Sequence, residues 1–138
     1  MVDIYMRYEG GLHCSATHGP SSVLLATDAP RDNEGKGESF SPTDLLATSL
    51  GTCMLTTMGI AAHKHGWNID GIELHVKKEM TRQPPRRVER LIARFDVPAA
   101  VAGGLDAETK SKLEHIARTC PVALSLHQTV AVETSFDW

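Results

Sequence analysis

From Leu45 to Ala62 the chain carries no charged residue, and both ends of this stretch are punctuated. Upstream, Ser41-Pro42-Thr43-Asp44 has the chemistry of a helix start. A serine at the N-cap accepts an orphan backbone N–H, and a proline at the next position loses nothing by lacking its own. Asp44 closes a shorter version of the capping box at the positive helix end. Downstream, Lys64 and His65 precede Gly66, a stop signal. A helix of about five turns that is uncharged on every side has to lie buried. It is too short and too rich in Thr, Ser and Gly to read as a membrane span, and no apolar run approaches the ~20 residues that one needs.

The flanks read as strands. Between Ile4 and Thr27, Leu12, Cys14 and Ala16 share one face while His13, Ser15 and Thr17 share the other, with Gly10-Gly11 and Gly19-Pro20 as turns. The polar, glycine-rich run from Asp28 to Phe40 is a surface loop. After the helix, Ile72, Leu74 and Val76 alternate with Glu73, His75 and Lys77, and Leu91, Ala93, Phe95 and Val97 alternate with Ile92, Arg94 and Asp96. The TRQPPRR segment between them predicts the tip of a long hairpin. A second helix is expected from about Asp106 to Thr119, a short third from Pro121, and a last strand from Val130 to Phe136 with Val130, Val132, Thr134 and Phe136 on one side. Strands at both ends of a buried helix define an α+β fold.

The totals narrow the function. At 138 residues, with no repeat or linker, the sequence suits a single domain spanning 1–138. Net charge is −3, so no global field draws nucleic acid or an anionic membrane, and Arg82, Arg86, Arg87 and Arg90 read as a solvated hairpin tip. No signal peptide is expected, since the first residues lack a basic segment followed by an apolar one. Three cysteines cannot all pair within one chain, so a reducing compartment, the cytoplasm, is expected, with any disulfide transient and catalytic.

Chemistry therefore concentrates on thiols. Cys53 lies midway along the uncharged helix among Ser49, Leu50, Thr52, Thr56 and Thr57, with Gly51 and Gly59 thinning the helix enough for another backbone to approach. On spacing alone it reads first as a small packing residue, the usual place of a free cysteine. Cys120, in Thr119-Cys120-Pro121, sits at the N-cap of the third helix, where the helix end stabilises an anion by roughly 0.3–1 kcal/mol, less than about one pKa unit. Mild activation and a purely structural role both stand for it. Cys14, on an apolar strand face, is expected in the core. The seven histidines supply no pair at zinc-site spacing, and no HExxH, CxxC, Walker, GxGxxG or GxSxG pattern occurs, so no metal or cofactor is expected.

Two blocks, Ser41-Pro42-Thr43-Asp44-Leu45-Leu46 running into Ser49-Leu50-Gly51-Thr52-Cys53, and Ala117-Arg118-Thr119-Cys120-Pro121-Val122, together resemble the osmotically inducible protein C / organic hydroperoxide resistance (OsmC/Ohr) superfamily. Their order and the hairpin between them also match, so the resemblance covers nearly the whole chain. It implies antiparallel sheets wrapped around the long central helix in an intertwined homodimer. It also implies thiol peroxidase chemistry on organic hydroperoxides, with Cys53 peroxidatic, Cys120 resolving, and an external dithiol restoring both.

An ordinary thiol of pKa ~8.5 is only about 3% ionised at pH 7. A guanidinium about 4 Å from a thiolate, at an effective dielectric near 20, contributes on the order of 4 kcal/mol before desolvation. Family members carry such an arginine, held by a glutamate at the start of the cysteine helix. Here that glutamate position is Thr43. By analogy Arg31 is the candidate arginine, with Glu38 or Asp44 to orient it; an ordinary solvated loop arginine is the competing reading. The departure at Thr43 leaves room for a divergent dimer that binds a small hydrophobic ligand without peroxidase activity.

Overall fold

A computed structural model describes all of Met1–Trp138 as ten regular elements and a single 3-10 turn at Arg31–Asn33. They fall into two compact units, residues 1–46 and 47–138. The first unit is an antiparallel sheet of β1 (Ile4–Gly10), β2 (His13–His18) and β3 (Leu24–Asp28), ordered β1-β2-β3. Register places Met6 opposite Ala16 and Ala16 opposite Leu25, so Ile4, Met6, Tyr8, Cys14, Ala16 and Leu25 share a face. Its large side chains are exposed, Met6 to 73%. Cys14 is consequently half-buried rather than in the core.

Helix α1 (Pro42–His65) starts in the first unit and continues through the second. Its start is the expected capping box: the Ser41 N–H donates to Asp44 Oδ2 at 2.8 Å, and the Asp44 N–H donates to Ser41 Oγ at 3.1 Å. Its end is a Schellman turn, with Gly66 at φ 71° and the Trp67 N–H bonded to the Ala62 carbonyl at 2.9 Å. By length and composition α1 would suit a membrane span, contrary to the expectation from its sequence. Its packing shows the core of a folded chain instead, because Leu50, Met54 and Met58 are completely buried. The burial is one-sided, however: Thr48, Thr52, Thr56 and Ile60 form an exposed stripe, with Ile60 64% exposed.

The second unit holds a sheet of β4 (Glu73–Met80), β5 (Val88–Asp96) and β6 (Ala131–Asp137), ordered β4-β5-β6. The hairpin β4–β5 is antiparallel as expected, but β6 joins β5 in parallel, so this sheet is mixed. Its inner face stacks Leu74, Phe95 and Phe136 in one row and Val76, Ala93 and Thr134 in the next. Gly51 lets α1 approach that face, since a Cβ there would lie 2.9 Å from Val76 Cγ2. The outer face is polar: Arg90 bridges Glu79 and Glu133 across all three strands. Between β5 and β6 run α2 (Ala99–Gly103), which sequence reading did not expect, α3 (Ala107–Arg118) and α4 (Pro121–Ser125). Asp106 caps α3 by accepting the Thr109 N–H at 2.7 Å.

Candidate functional site

Two elements of the second unit bring two thiols together. Cys53 is carried by α1, where the Cys53 carbonyl accepts the Thr57 hydroxyl at 2.9 Å, and its side chain is half-buried. Cys120 is the N-cap of α4: its Sγ accepts the Ala123 N–H at 3.5 Å, and Pro121 occupies the first helical position. The Cys53 side chain lies near enough to Cys120 to act on its thiol. Residues 67 positions apart in sequence thus share one site at the junction of α1 and α4.

The electrostatics decide between the two readings left open for Cys120. Burial raises its thiol pKa, and the neighbouring Cys53 sulfur adds to that rise. The Ala123 and Val122 N–H groups act in the opposite direction without overcoming it. The helix end is present, but at 1% exposure desolvation outweighs a short helix terminus. Cys120 therefore holds its proton rather than being mildly activated. The more accessible member of the pair is Cys53.

The remaining candidates lie in the first unit. Arg31 is exposed and donates its Nε–H to the Lys36 carbonyl at 3.1 Å; it forms no ion pair with Glu38 or Asp44. Asp44 serves the capping box. Glu38 contributes its backbone N–H to Asp28 Oδ2 at 2.9 Å. Thr43, at the position of the family's glutamate, places its hydroxyl 3.1 Å from Ser41 Oγ.

A polar pair that sequence reading missed is built in the same unit. His13 at the start of β2 faces Asp28 at the end of β3, and its Nδ1 is hydrogen-bonded to Asp28 Oδ1. The contact raises the His13 pKa and lowers that of Asp28. Strand alternation puts His13 on a face but does not say which residue stands opposite, and Asp28 reads as the first residue of a loop. Only the register discloses the pair.

With this geometry in view, comparison with known proteins is informative. A family model for OsmC-like proteins matches residues 35–135. The chain belongs to the OsmC-like family. A crystal structure from Psychrobacter arcticus 273-4, provisionally described as an osmotic stress induced and detoxification response protein, is similar over 99% of this chain and 96% of its own, at 41% identity and a TM-score of 0.90. An OsmC-like protein from Mycoplasma pneumoniae matches at 14% identity and TM-score 0.78, covering 99% of this chain and 96% of that one. An organic hydroperoxide resistance protein OsmC from Legionella pneumophila matches at 17% identity and TM-score 0.73, covering 100% and 97%. At those last two identities the likeness is one of fold. No curated protein matches.

One cleft in the second unit of this OsmC-like chain, about 490 Å³, is lined by Glu73, Asp96, Asp137 and Trp138 among others.

Proposed function

We propose that the protein is a thiol peroxidase that reduces organic hydroperoxides to alcohols, acting as a homodimer in a reducing compartment such as the cytoplasm. The observation that carries this reading is the influence of the nearby Cys53 side chain on the Cys120 thiol. Cys120 is buried and keeps its proton, so the nucleophile is Cys53, attacking as its thiolate. An S–O bond forms as the O–O bond breaks. Sulfur is oxidised to a sulfenic acid, and the peroxide is reduced to an alcohol that takes up one proton. Cys120 then displaces water from that sulfenic acid, closing a disulfide, and an external dithiol returns both thiols while itself becoming a disulfide. The positive charge that the family draws from an arginine to favour the attacking thiolate is assigned to Arg31 by that resemblance.

Two uncovered surfaces support the homodimer: the apolar face carrying Ile4, Met6, Tyr8 and Leu25, and the α1 stripe ending at Ile60. Burying a side chain of this size yields about 1.5–3 kcal/mol, a strong incentive for a second copy to cover them. Sedimentation of the wild type at twice the monomer mass, reduced to monomer by Met6→Asp, is the expected behaviour.

The activity test is peroxide consumption with a dithiol donor, comparing cumene hydroperoxide with hydrogen peroxide. The wild type is expected to turn over the organic peroxide faster, and Cys53→Ser to lose turnover. An unchanged rate in Cys53→Ser would remove the thiol mechanism.

A further inference from the structure

The Arg31 segment is long and polar, yet it is tied down at both ends by one residue. Asp28, 5% exposed, is the buried charged residue of the first unit. Its N–H donates to the Phe40 carbonyl at 3.1 Å, closing residues 29–39 into a loop. Its Oδ2 accepts the Glu38 N–H at 2.9 Å, and its Oδ1 holds His13. Next to it, the Ala29 N–H donates to the Leu12 carbonyl at 3.0 Å, and the Ala29 carbonyl accepts the Gly37 N–H at 3.3 Å. Inside the loop the Arg31 Nε–H reaches the Lys36 carbonyl, and Gly37, at φ 61°, brings the backbone against the arginine stem. A buried carboxylate is costly unless it is paired and hydrogen-bonded. His13 pairs it across the strands, and the Glu38 N–H completes its hydrogen bonding only while the loop is closed on it, so the carboxylate works as a latch.

We propose that His13 and Asp28 are positioning residues whose contact holds the Arg31 loop in its closed conformation. The consequence for peroxide reduction rests on the role given to Arg31 above; the latch itself does not. The charged groups facing His13 are Asp28 from β3, Glu9 from β1 with Oε2 at 3.7 Å from Nε2, and Glu38 from the loop, all acidic. Besides His13, Lys36 is the cation acting on Asp28. Glu9 is in turn held by the Ser15 hydroxyl at 2.8 Å. Every neighbour of the imidazole thus favours its protonated form, so loss of that proton weakens the latch. The loop is firm in mildly acidic solution and loosens as the imidazole titrates.

The test is amide hydrogen exchange of residues 29–40 in the full chain, corrected for intrinsic pH dependence, with β5 amides as the folding control. In the wild type, loop protection is expected to fall as pH rises through the His13 titration. His13→Asn is expected to speed loop exchange about fivefold near pH 5.5 and to abolish its pH dependence while β5 stays protected. His13→Lys, which keeps a cation beside Asp28, is expected to retain protection into alkaline solution. Loop exchange in His13→Asn equal to that of the wild type at every pH would overturn the proposal. Peroxide turnover is measured in parallel. A wild type with no turnover removes the role given to Arg31 and leaves the latch to be judged by exchange. With turnover present, His13→Asn is expected to lower kcat/KM most in mildly acidic solution.

Discussion

Gly51 is the point at which α1 comes closest to β4, and the structure fixes what a methyl group there would do. An added Cβ would sit 2.9 Å from Val76 Cγ2 and 3.3 Å from Leu74 Cδ2, both inside ordinary contact distance. Valine is stiff at χ1 and the position is enclosed, so the strand or the helix has to move. Overpacking of this kind costs about 1–3 kcal/mol, while replacing glycine by alanine in a helix returns about 1 kcal/mol. Gly51→Ala is therefore expected to destabilise the protein by ~1 kcal/mol, the reverse of the gain that helix propensity alone predicts. Val76→Ala removes the methyl that the new Cβ strikes. In the double variant the overpacking cost should be relieved, giving a favourable coupling of about 2 kcal/mol in a double-mutant cycle. Urea unfolding of the four proteins, with slopes checked for constancy, supplies the numbers. Additivity within ~0.3 kcal/mol, or a stabilised Gly51→Ala, would refute the packing argument.

Other outcomes follow from burial and charge. Leu113 on α3 is completely buried, so Leu113→Ala should cost about 2–5 kcal/mol, read as a lower urea midpoint at unchanged slope. The His13–Asp28 pair predicts a stability window. A histidine whose folded pKa is raised contributes fully below its unfolded value of ~6.5, and the contribution is lost as pH rises through the folded value. A carboxylate whose folded pKa is lowered contributes above ~3.9, and that is lost as pH falls through the folded value. Stability to urea should accordingly decline on both sides of a maximum between about pH 4 and 6.5. His13→Asn should flatten the decline above about pH 6.5; the acid limb is shared with Glu79 and Asp106 and should flatten less.

Much of the architecture is legible in the amino acids because its signals are local. The caps at Ser41 and Gly66 bracket α1, the apolar alternation around Leu91–Phe95 marks the inner face of β5, and Asp106 announces α3. Direction is not local: the Val132, Thr134, Phe136 pattern is the same whether β6 runs parallel or antiparallel to β5. Helix α2 escapes notice because its N-cap is Pro98, which has no side-chain acceptor, and it has five residues. In the candidate site, the two cysteine blocks are visible as motifs, and the fold supplies their proximity. Sequence leaves the activation of Cys120 open, because a helix terminus can be seen in sequence and desolvation cannot. The His13–Asp28 pair was missed for want of strand register.

The most direct measurement of the proposed mechanism is to treat the fully reduced protein with one equivalent of cumene hydroperoxide and map the cysteines by peptide mass spectrometry. The mechanism predicts loss of two thiols per chain, a mass lower by two hydrogens, and a single cross-linked peptide pair joining Cys53 to Cys120 within one chain. Persistence of both thiols, or a disulfide that engages Cys14 in place of either, would contradict it.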